Sequence, residues 1–250
     1  MKLVNEHLAT PVRLTRPTDD GFLVVAAEVG RWCGPLALPS RARRRLTARL
    51  QRAAATLAER DDVVEATVFR GALRPPGEGS ALLARAGVRP ARYDLVVLIR
   101  TTGADAIGSV RADHSYRAMI TDIEHSARHS HQTAADNAAR IADVAHTGDR
   151  WFLFNYFHCD SAEIVYDTWQ YTAGWFQHHT RLPDSLLMAP RPGEPTDYRV
   201  INHASWPTLR VFLPGLLFRR TFRSFVLANF KANGVAAQPI IYRAVGPARP

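Results

Sequence analysis

Cysteine is scarce in this sequence, since Cys33 and Cys159 are the two that occur among its 250 residues. They lie far apart and form no CxxC pair, so we expect neither a disulfide framework nor a cysteine-based zinc site. The first residues, MKLVNEHLAT, lack the apolar core that a signal peptide needs. The longest apolar runs, such as FLVVAA at 22–27, are too short to cross a bilayer. We therefore expect a protein of a reducing, cytoplasmic compartment.

The common nucleotide-binding and catalytic motifs are also missing. No GxGxxG follows a strand-like run, and GxxxxGK[ST], GxSxG and HExxH do not occur. These absences disfavour NAD or ATP binding by the usual loops, and they disfavour the best-known hydrolase mechanisms.

Acidic residues are outnumbered, because 32 lysine and arginine residues stand against 23 aspartate and glutamate residues. The formal net charge is +9, and arginine supplies almost all of the positive charge. Such a charge bears on partners and solubility rather than on fold. The plain interpretation is a basic cytoplasmic protein with arginine-rich helix surfaces. No feature of the sequence predicts an oligomeric state.

Hydrophobic residues make up 46% of the chain, a globular value, and their patterns divide it into a lead-in and two similar halves. We place an extended lead-in at 1–20, a first half at 21–148 and a second half at 149–250. The predicted strands are 21–30, 62–73, 92–102, 151–158, 185–190, 198–206 and 237–245. The predicted helices are 41–60, 104–128, 161–180 and 208–234, the last with a break at Pro214-Gly215. The segment 131–149 carries either a short strand or more helix.

Each half therefore has the βαββαβ order of a ferredoxin-like unit, and we interpret the halves as a weak internal repeat. The alternative is a single α+β domain whose halves look alike by chance. Two such units in one chain resemble the dimeric α+β barrel superfamily in its fused, single-chain form. The resemblance covers about residues 20–245 and is carried by element order, without a diagnostic motif.

The resemblance implies an α+β fold in which two ferredoxin-like halves pack as one barrel around a cavity. The superfamily includes cofactor-independent oxygenases, haem enzymes related to chlorite dismutase, and dehalogenase- or isomerase-like proteins. It permits haem or a metal, but no histidine here matches a haem-ligand signature of those families. The cofactor content is therefore left open.

Polar side chains in two apolar strand-like runs, 151–158 and 198–206, are the candidates for chemistry. We take His203, His158 and Tyr156 as candidate catalytic residues, because histidine titrates near neutral pH and can move a proton. The competing interpretation is a structural Asn–His or Tyr–His pair, since a buried polar group needs a hydrogen-bond partner.

Four further residues are candidates for substrate binding. Asn155 and Asn202 would orient a ligand, and they would share a pocket with the candidate acid or base. Trp169 and Trp175 follow one helix, where they either line a ligand cavity or pack as ordinary core.

The histidines of EHSARHSH suggest a metal site at first sight. On a helix His125 and His129 would share a face, with His131 close behind, and imidazoles at that spacing can bind zinc. The segment is polar on most sides, so we favour a solvated helix end or linker, and we assign no metal ligand.

The last predicted helix is amphipathic. Its Phe-rich face consists of Phe218, Phe222, Phe225 and Val226. Its basic face lies roughly opposite and consists of Arg219, Arg220, Arg223 and Lys231. We expect the Phe-rich face to pack on the sheet. The basic face of 216–231 either carries ordinary snorkelling arginines or docks on an anionic membrane or an acidic protein. Nucleic acid is disfavoured, because no recognised nucleic-acid motif accompanies the charge.

Two functional hypotheses follow. The first is a small-molecule enzyme, of oxygenase, cyclase or isomerase type, acting on an apolar or aromatic compound in a barrel cavity. The second is a non-catalytic module whose basic helices bind a membrane surface or an acidic protein. A closed cavity of several hundred Å³ that contains His203 or His158 would favour the first hypothesis. A filled barrel with an exposed basic face at 216–231 would favour the second.

Overall fold

The computed structural model describes residues 1–246. The strands in this range are β1 Gly21–Glu28, β2 Trp32–Cys33, β3 Leu36–Ala37, β4 Val63–Leu73, β5 Leu95–Thr101, β6 His129–Ala142, β7 Trp151–His158, β8 Asp184–Pro190, β9 Val200–Trp206 and β10 Ala236–Ala244. The helices are α1 Arg41–Ala58, α2 Ser80–Ala86, α3 Ala106–Ala112, α4 His114–Ser126, α5 Ala162–Thr180, α6 Leu209–Phe218 and α7 Ala228–Ala232. A 3-10 turn at Glu6–Leu8 and a π-helical turn at Phe222–Leu227 complete the elements of these 246 residues.

The strands form one antiparallel sheet that closes on itself. Its order is β10-β7-β9-β8-β6-β1-β5-β4, and β4 pairs back onto β10. The short hairpin β2–β3 continues the sheet from β4 outside the closed part. Closure removes the free edges that an open sheet would present.

The two halves of the chain contribute equivalent parts of this barrel. The first supplies the order β6-β1-β5-β4 and the second supplies β10-β7-β9-β8. When the β2–β3 hairpin is not counted, each half therefore places its fourth, first, third and second strand side by side. The halves join where β6 pairs with β8 and where β4 pairs with β10. The predicted fold class, two ferredoxin-like halves packed as one barrel, is confirmed. The boundaries at 20/21 and 148/149 stay a prediction, and residues 247–250 of the second half lie outside the described residues.

Helices cover the outside of the barrel in both halves. In the first half Leu46 and Leu50 of α1 pack with Met119 and Ile123 of α4 over the outward side chains of β1 and β5. The serine caps predicted for two helices are present, as Ser40 accepts a hydrogen bond from the Arg43 N–H and Ser161 accepts one from the Ile164 N–H. In the second half α5, the π-helical turn and α7 cover the outward face of β7, β8 and β9.

One alternative is decided by the structure, and two predicted elements differ from it. Residues 131–142 of the ambiguous segment belong to a strand rather than a helix, but this strand, β6, has 14 residues and pairs with β1 on one side and β8 on the other. The single helix predicted at 104–128 is two helices, because Asp113 has extended backbone angles and caps α4 by accepting from the Ser115 N–H. The last helix continues through Pro214 and breaks at Arg219 instead.

The inside of the barrel is filled by aromatic and aliphatic side chains. The large ones that are almost wholly buried include Phe69, Phe152, Phe154, Tyr156 and Tyr242. A small space beside His203 measures about 10 Å³, enough for about one water molecule. This space is too small for an organic ligand, and a ligand cavity inside the barrel stays a prediction. No helix within residues 1–246 is both long and apolar enough to cross a membrane.

Candidate functional site

Three polar side chains form a hydrogen-bonded series that enters one end of the barrel, and we refer to Glu65, His146 and His203 as the histidine chain. Glu65 lies on β4, His146 lies in the loop before β7, and His203 lies on β9. His146 Nδ1 lies 2.9 Å from Glu65 Oε2, and its Nε2 lies 2.8 Å from His203 Nε2. His203 Nδ1 lies 3.0 Å from the carbonyl oxygen of Leu153.

The protons in the histidine chain can be assigned from the acceptors. The Leu153 carbonyl can only accept, so His203 carries its proton on Nδ1. His203 Nε2 then accepts from His146 Nε2, and the remaining proton lies between His146 and Glu65. Complete burial lowers the pKa of His203 well below its usual value, and the charge of His146 lowers it further. His203 is therefore a neutral imidazole.

This arrangement can pass a proton between the partly exposed Glu65 and the barrel interior. The space beside His203 accommodates about one water molecule. An organic ligand of the expected size has no room there. The histidine chain is therefore suited to proton transfer and to linking β4 to β9 through His146, and it is unsuited to binding a substrate.

The other two candidate catalytic residues lie on the same strand face as Phe154, but outside the histidine chain. His158 is buried and its Nδ1 lies 2.8 Å from the Asp197 carbonyl oxygen. Tyr156 is completely buried, with the rings of Tyr93 and Tyr198 each 5.2 Å away. Burial raises the pKa of Tyr156 well above its usual range.

The candidate binding residues lie on the opposite side of the barrel wall. Asn202 Oδ1 accepts hydrogen bonds from Trp169 Nε1 at 3.1 Å and from Ser185 Oγ at 2.7 Å. Asn155 stands opposite Asn202 in the β7–β9 register. Trp175 belongs to α5 and is fully buried. The structure therefore does not bring these side chains together with His203, because adjacent residues of β9 point to opposite faces.

A large pocket lies beside the barrel, and we refer to it as the outer pocket. Its volume is about 870 Å³. It lies between the β2–β3 hairpin, the segment 73–80, β10, and α6 with the π-helical turn. Leucines of α6, Phe222 and a series of prolines provide a mostly apolar wall. The sequence patterns gave no sign of this pocket, because residues 74–80 read only as a linker.

Three arginines supply the charge of the outer pocket. Arg74 follows β4, Arg92 precedes β5, and Arg223 lies in the π-helical turn. No acidic residue is among the side chains that line the pocket in residues 1–246. The pocket can therefore hold an apolar molecule, and its electrostatic potential favours a negative group on that molecule.

Three solved structures share this architecture at very low sequence identity. An anthrone oxidase-like protein superposes with a TM-score of 0.62 at 7% identity, covering 93% of this chain and 96% of its own. A candidate monooxygenase from Fusobacterium nucleatum subsp. nucleatum gives 0.54 at 9% identity, covering 92% and 94%. A candidate chlorite dismutase gives 0.50 at 10% identity, covering 92% and 97%.

The chain has the dimeric α+β barrel fold. The resemblance predicted from element order is confirmed at the level of fold, and identities this low carry no more than the fold. No model of a protein family matches the sequence, and a search of curated proteins finds none similar to it.

Haem, which the barrel fold permits, does not fit the outer pocket. Haem iron needs an axial side chain such as histidine, cysteine, methionine or tyrosine. None of these residue types lines the pocket in the part of the chain that the structure describes. The outer pocket therefore does not have the lining of a haem site.

The histidines of the segment 125–131 do not form a metal site either. His125 is exposed near the end of α4, whereas His129 begins β6 and does not share its helix face. His131 is 4% exposed inside the barrel, so the solvated linker that we expected is wrong for this residue. Residues 1–246 contain no group of three or more histidine, cysteine or acidic side chains placed to hold a metal ion.

The basic segment 216–231 is only partly placed as predicted. Phe225 and Val226 pack in the core, but Phe218 is 80% exposed, so the prediction that the whole Phe-rich face packs on the sheet is wrong. The helix break at Arg219 separates Phe218 from the residues that follow and turns it to solvent.

Proposed function

We propose that the protein binds an apolar or aromatic small molecule in the outer pocket and acts on it as a small-molecule enzyme. The observation that carries this proposal is the pocket volume of about 870 Å³ with a mostly apolar wall and a few polar groups. Ligand sites typically have volumes of about 300–1,000 Å³ and this kind of lining. The likeness in fold to an anthrone oxidase-like protein and to a candidate monooxygenase supports the oxygenase type over the cyclase or isomerase types.

An anthrone illustrates the chemistry that such a pocket could support. Its methylene group loses a proton to solvent, which leaves an enolate, and the former methylene carbon then gives two electrons to dioxygen and bonds to it as a peroxide. Loss of the second proton from that carbon breaks the O–O bond, because the carbon supplies two further electrons as it becomes a carbonyl. The product is an anthraquinone that retains one oxygen atom of dioxygen, while the other leaves as hydroxide and is protonated to water. Arg74, Arg92 and Arg223 would stabilise the enolate oxygen, because charge that develops in the reaction is stabilised by groups already in place.

Of the residues chosen from the sequence, His203 keeps a proposed role in proton transfer through the histidine chain. Tyr156 and His158 do not line the outer pocket, and we propose that they support the barrel interior. Trp169, Trp175 and the two asparagines would hold α5 on the sheet.

Binding is tested with the neutral fluorescent probe N-phenyl-1-naphthylamine. The double variant Leu213→Gln/Leu216→Gln makes the wall polar and should weaken binding by about tenfold or more, which is about 1.4 kcal/mol. The control is Val64→Gln, because Val64 is half exposed at the start of β4 and does not line the pocket. Equal affinities for all three proteins would reject the outer pocket as the ligand site.

The enzyme type is tested separately with anthrone as substrate. Oxygen uptake and anthraquinone absorbance should exceed the uncatalysed rate for the wild-type protein and for Val64→Gln. The double leucine variant should return to the uncatalysed rate. If the protein binds the probe but shows no oxygen uptake with anthrone, the proposed oxygenase activity is rejected and the outer pocket remains the proposed ligand site.

We propose as an alternative that the tip of α6 docks on an anionic membrane surface. Phe218 and Leu217 are 80% and 52% exposed, and the exposed Arg219, Arg220 and Arg223 follow them. Apolar side chains can enter the lipid boundary while each basic residue near the surface contributes about 1 kcal/mol. The filled barrel also supports this alternative. For this alternative, we propose that the protein is cytoplasmic and contacts the membrane surface peripherally.

Vesicle flotation tests the membrane alternative. Vesicles of phosphatidylcholine with phosphatidylserine should carry the protein upward at low salt, and vesicles of phosphatidylcholine alone should not. Phe218→Ser should reduce flotation, whereas Val64→Ser should leave it unchanged. A protein that stays at the bottom with both vesicle types at low salt is no membrane-docking module.

A further inference from the structure

Trp32 holds two of the arginines of the outer pocket in place. The guanidinium carbon of Arg74 lies 5.7 Å from the centre of the Trp32 ring, a cation–π arrangement. The indole Nε1 of Trp32 donates a hydrogen bond of 2.9 Å to the carbonyl oxygen of Arg92. The Arg74 backbone N–H also donates to the Pro35 carbonyl oxygen at 2.7 Å. One side chain therefore fixes Arg74 by its face and the backbone of Arg92 by its edge.

Within residues 1–246, no carboxylate neutralises the charge of these arginines. Neither Arg74 nor Arg92 forms an ion pair with a carboxylate among residues 1–246. The acidic residue whose charge acts on Arg74 is Glu28, and Glu28 already forms ion pairs with Arg89 and Arg128. Burial and the nearby charge of Arg92 both lower the pKa of Arg74. Two like charges held close together without a counter-ion favour an anion between or beside them.

We infer that the outer pocket selects an amphipathic anion, with its apolar part against α6 and a carboxylate, sulfonate or enolate at Arg74 and Arg92. Arg223 contributes positive charge from the π-helical turn. The planar guanidinium group of an arginine suits an anion with two oxygens, because two of its parallel N–H groups can donate to such an anion. This inference rests on the proposed function, and it adds the charge class of the ligand.

A pair of matched probes separates charge from hydrophobicity. 1-Anilinonaphthalene-8-sulfonate carries a sulfonate on the same aromatic skeleton as neutral N-phenyl-1-naphthylamine. The double variant Arg74→Gln/Arg92→Gln should bind the sulfonate probe about tenfold more weakly and should bind the neutral probe within about twofold of wild type. The control Arg44→Gln/Arg52→Gln removes the same charge from the exposed face of α1 and should change neither affinity.

Trp32→Phe tests the positioning role without removing a charge. It keeps an aromatic face for Arg74 but loses the indole N–H that donates to the Arg92 carbonyl oxygen. We expect an intermediate loss for the sulfonate probe and no change for the neutral probe. Circular dichroism and urea midpoints close to wild type establish that each variant is folded.

The two possible failures give different results. In the first, the leucine variant weakens binding of the neutral probe, but the Arg74 and Arg92 variant binds the sulfonate probe as tightly as wild type. That result would overturn this inference and leave the proposed function standing. If the leucine variant binds both probes as tightly as wild type does, the outer pocket is not the ligand site. That result would overturn the proposed function and this inference with it.

Discussion

The stability of the barrel should fall in acid because His131 is buried as a neutral imidazole. His131 is 4% exposed, and its ring lies 5.1 Å from that of Tyr198 in an edge-on contact. Burial lowers its pKa from the ordinary value of 6.5 to about 4. The charge of His129 lowers the pKa further, and the charges of Asp197 and Glu194 oppose the shift.

The size of the effect follows from the pKa. Below about pH 6.5 His131 of the unfolded chain takes up a proton, whereas in the folded protein it stays uncharged until about pH 4. Acid therefore favours unfolding. The contribution is fully present above pH 6.5 and is lost as the pH falls toward 4, and a shift of about 2.5 pKa units corresponds to about 3 kcal/mol.

Urea unfolding of wild type and His131→Leu at several pH values measures this contribution. Leucine is chosen because it fills similar space and adds no buried polar atom. The difference in free energy of unfolding should move in favour of the variant by about 1.4 kcal/mol for each pH unit between about 6 and 4.5. The control His125→Gln replaces an exposed histidine and should leave the pH dependence unchanged. Parallel curves for wild type and His131→Leu would refute the reasoning.

Two further predictions concern other parts of the barrel. Gly174→Ala should lower the free energy of unfolding by about 1–3 kcal/mol in urea titrations, because the new Cβ would collide with the backbone of Thr10. Gly108→Ala, where a Cβ meets open space on a helix, should raise it by about 0.5–1 kcal/mol, and equal effects would contradict this packing. Nitrogen-15 NMR of labelled histidine should find the proton of His203 on Nδ1, donated to Leu153, and a proton on Nε2 instead would contradict the histidine chain.

Most of the regular elements could be predicted from local pattern, and β6 shows why one could not. Strands β5 and β7 are rich in β-branched or aromatic residues, which favour a pleated, half-buried surface. Strand β6 reads HSHQTAADNAARIA and has almost no such residues. It is extended because β1 and β8 pair with it on both sides, and that pairing is a tertiary effect.

The candidate site was predicted less well, for a different reason. Side chains alternate along a strand, so the adjacent residues Asn202 and His203 point to opposite faces of β9. The pocket that we expected them to share is therefore not formed. The partners of His203 could not be inferred, because His146 and Glu65 are 81 residues apart and neither lies in a recognisable motif. The arginines of the outer pocket likewise come from separate segments that only the closed barrel brings together.

Segment 209–227 links the pocket and the membrane alternative, yet their contributions are separable. Leu216 is half buried and lines the outer pocket, whereas Phe218 points to solvent and does not line it. Leu217 takes part in both surfaces. A variant at Leu216 therefore tests ligand binding alone, and a variant at Phe218 tests surface docking alone. If Phe218→Ser lowered probe affinity as strongly as the leucine variant, the exposed tip would have to close over the bound molecule, and its exposure would reflect the empty pocket rather than a membrane partner.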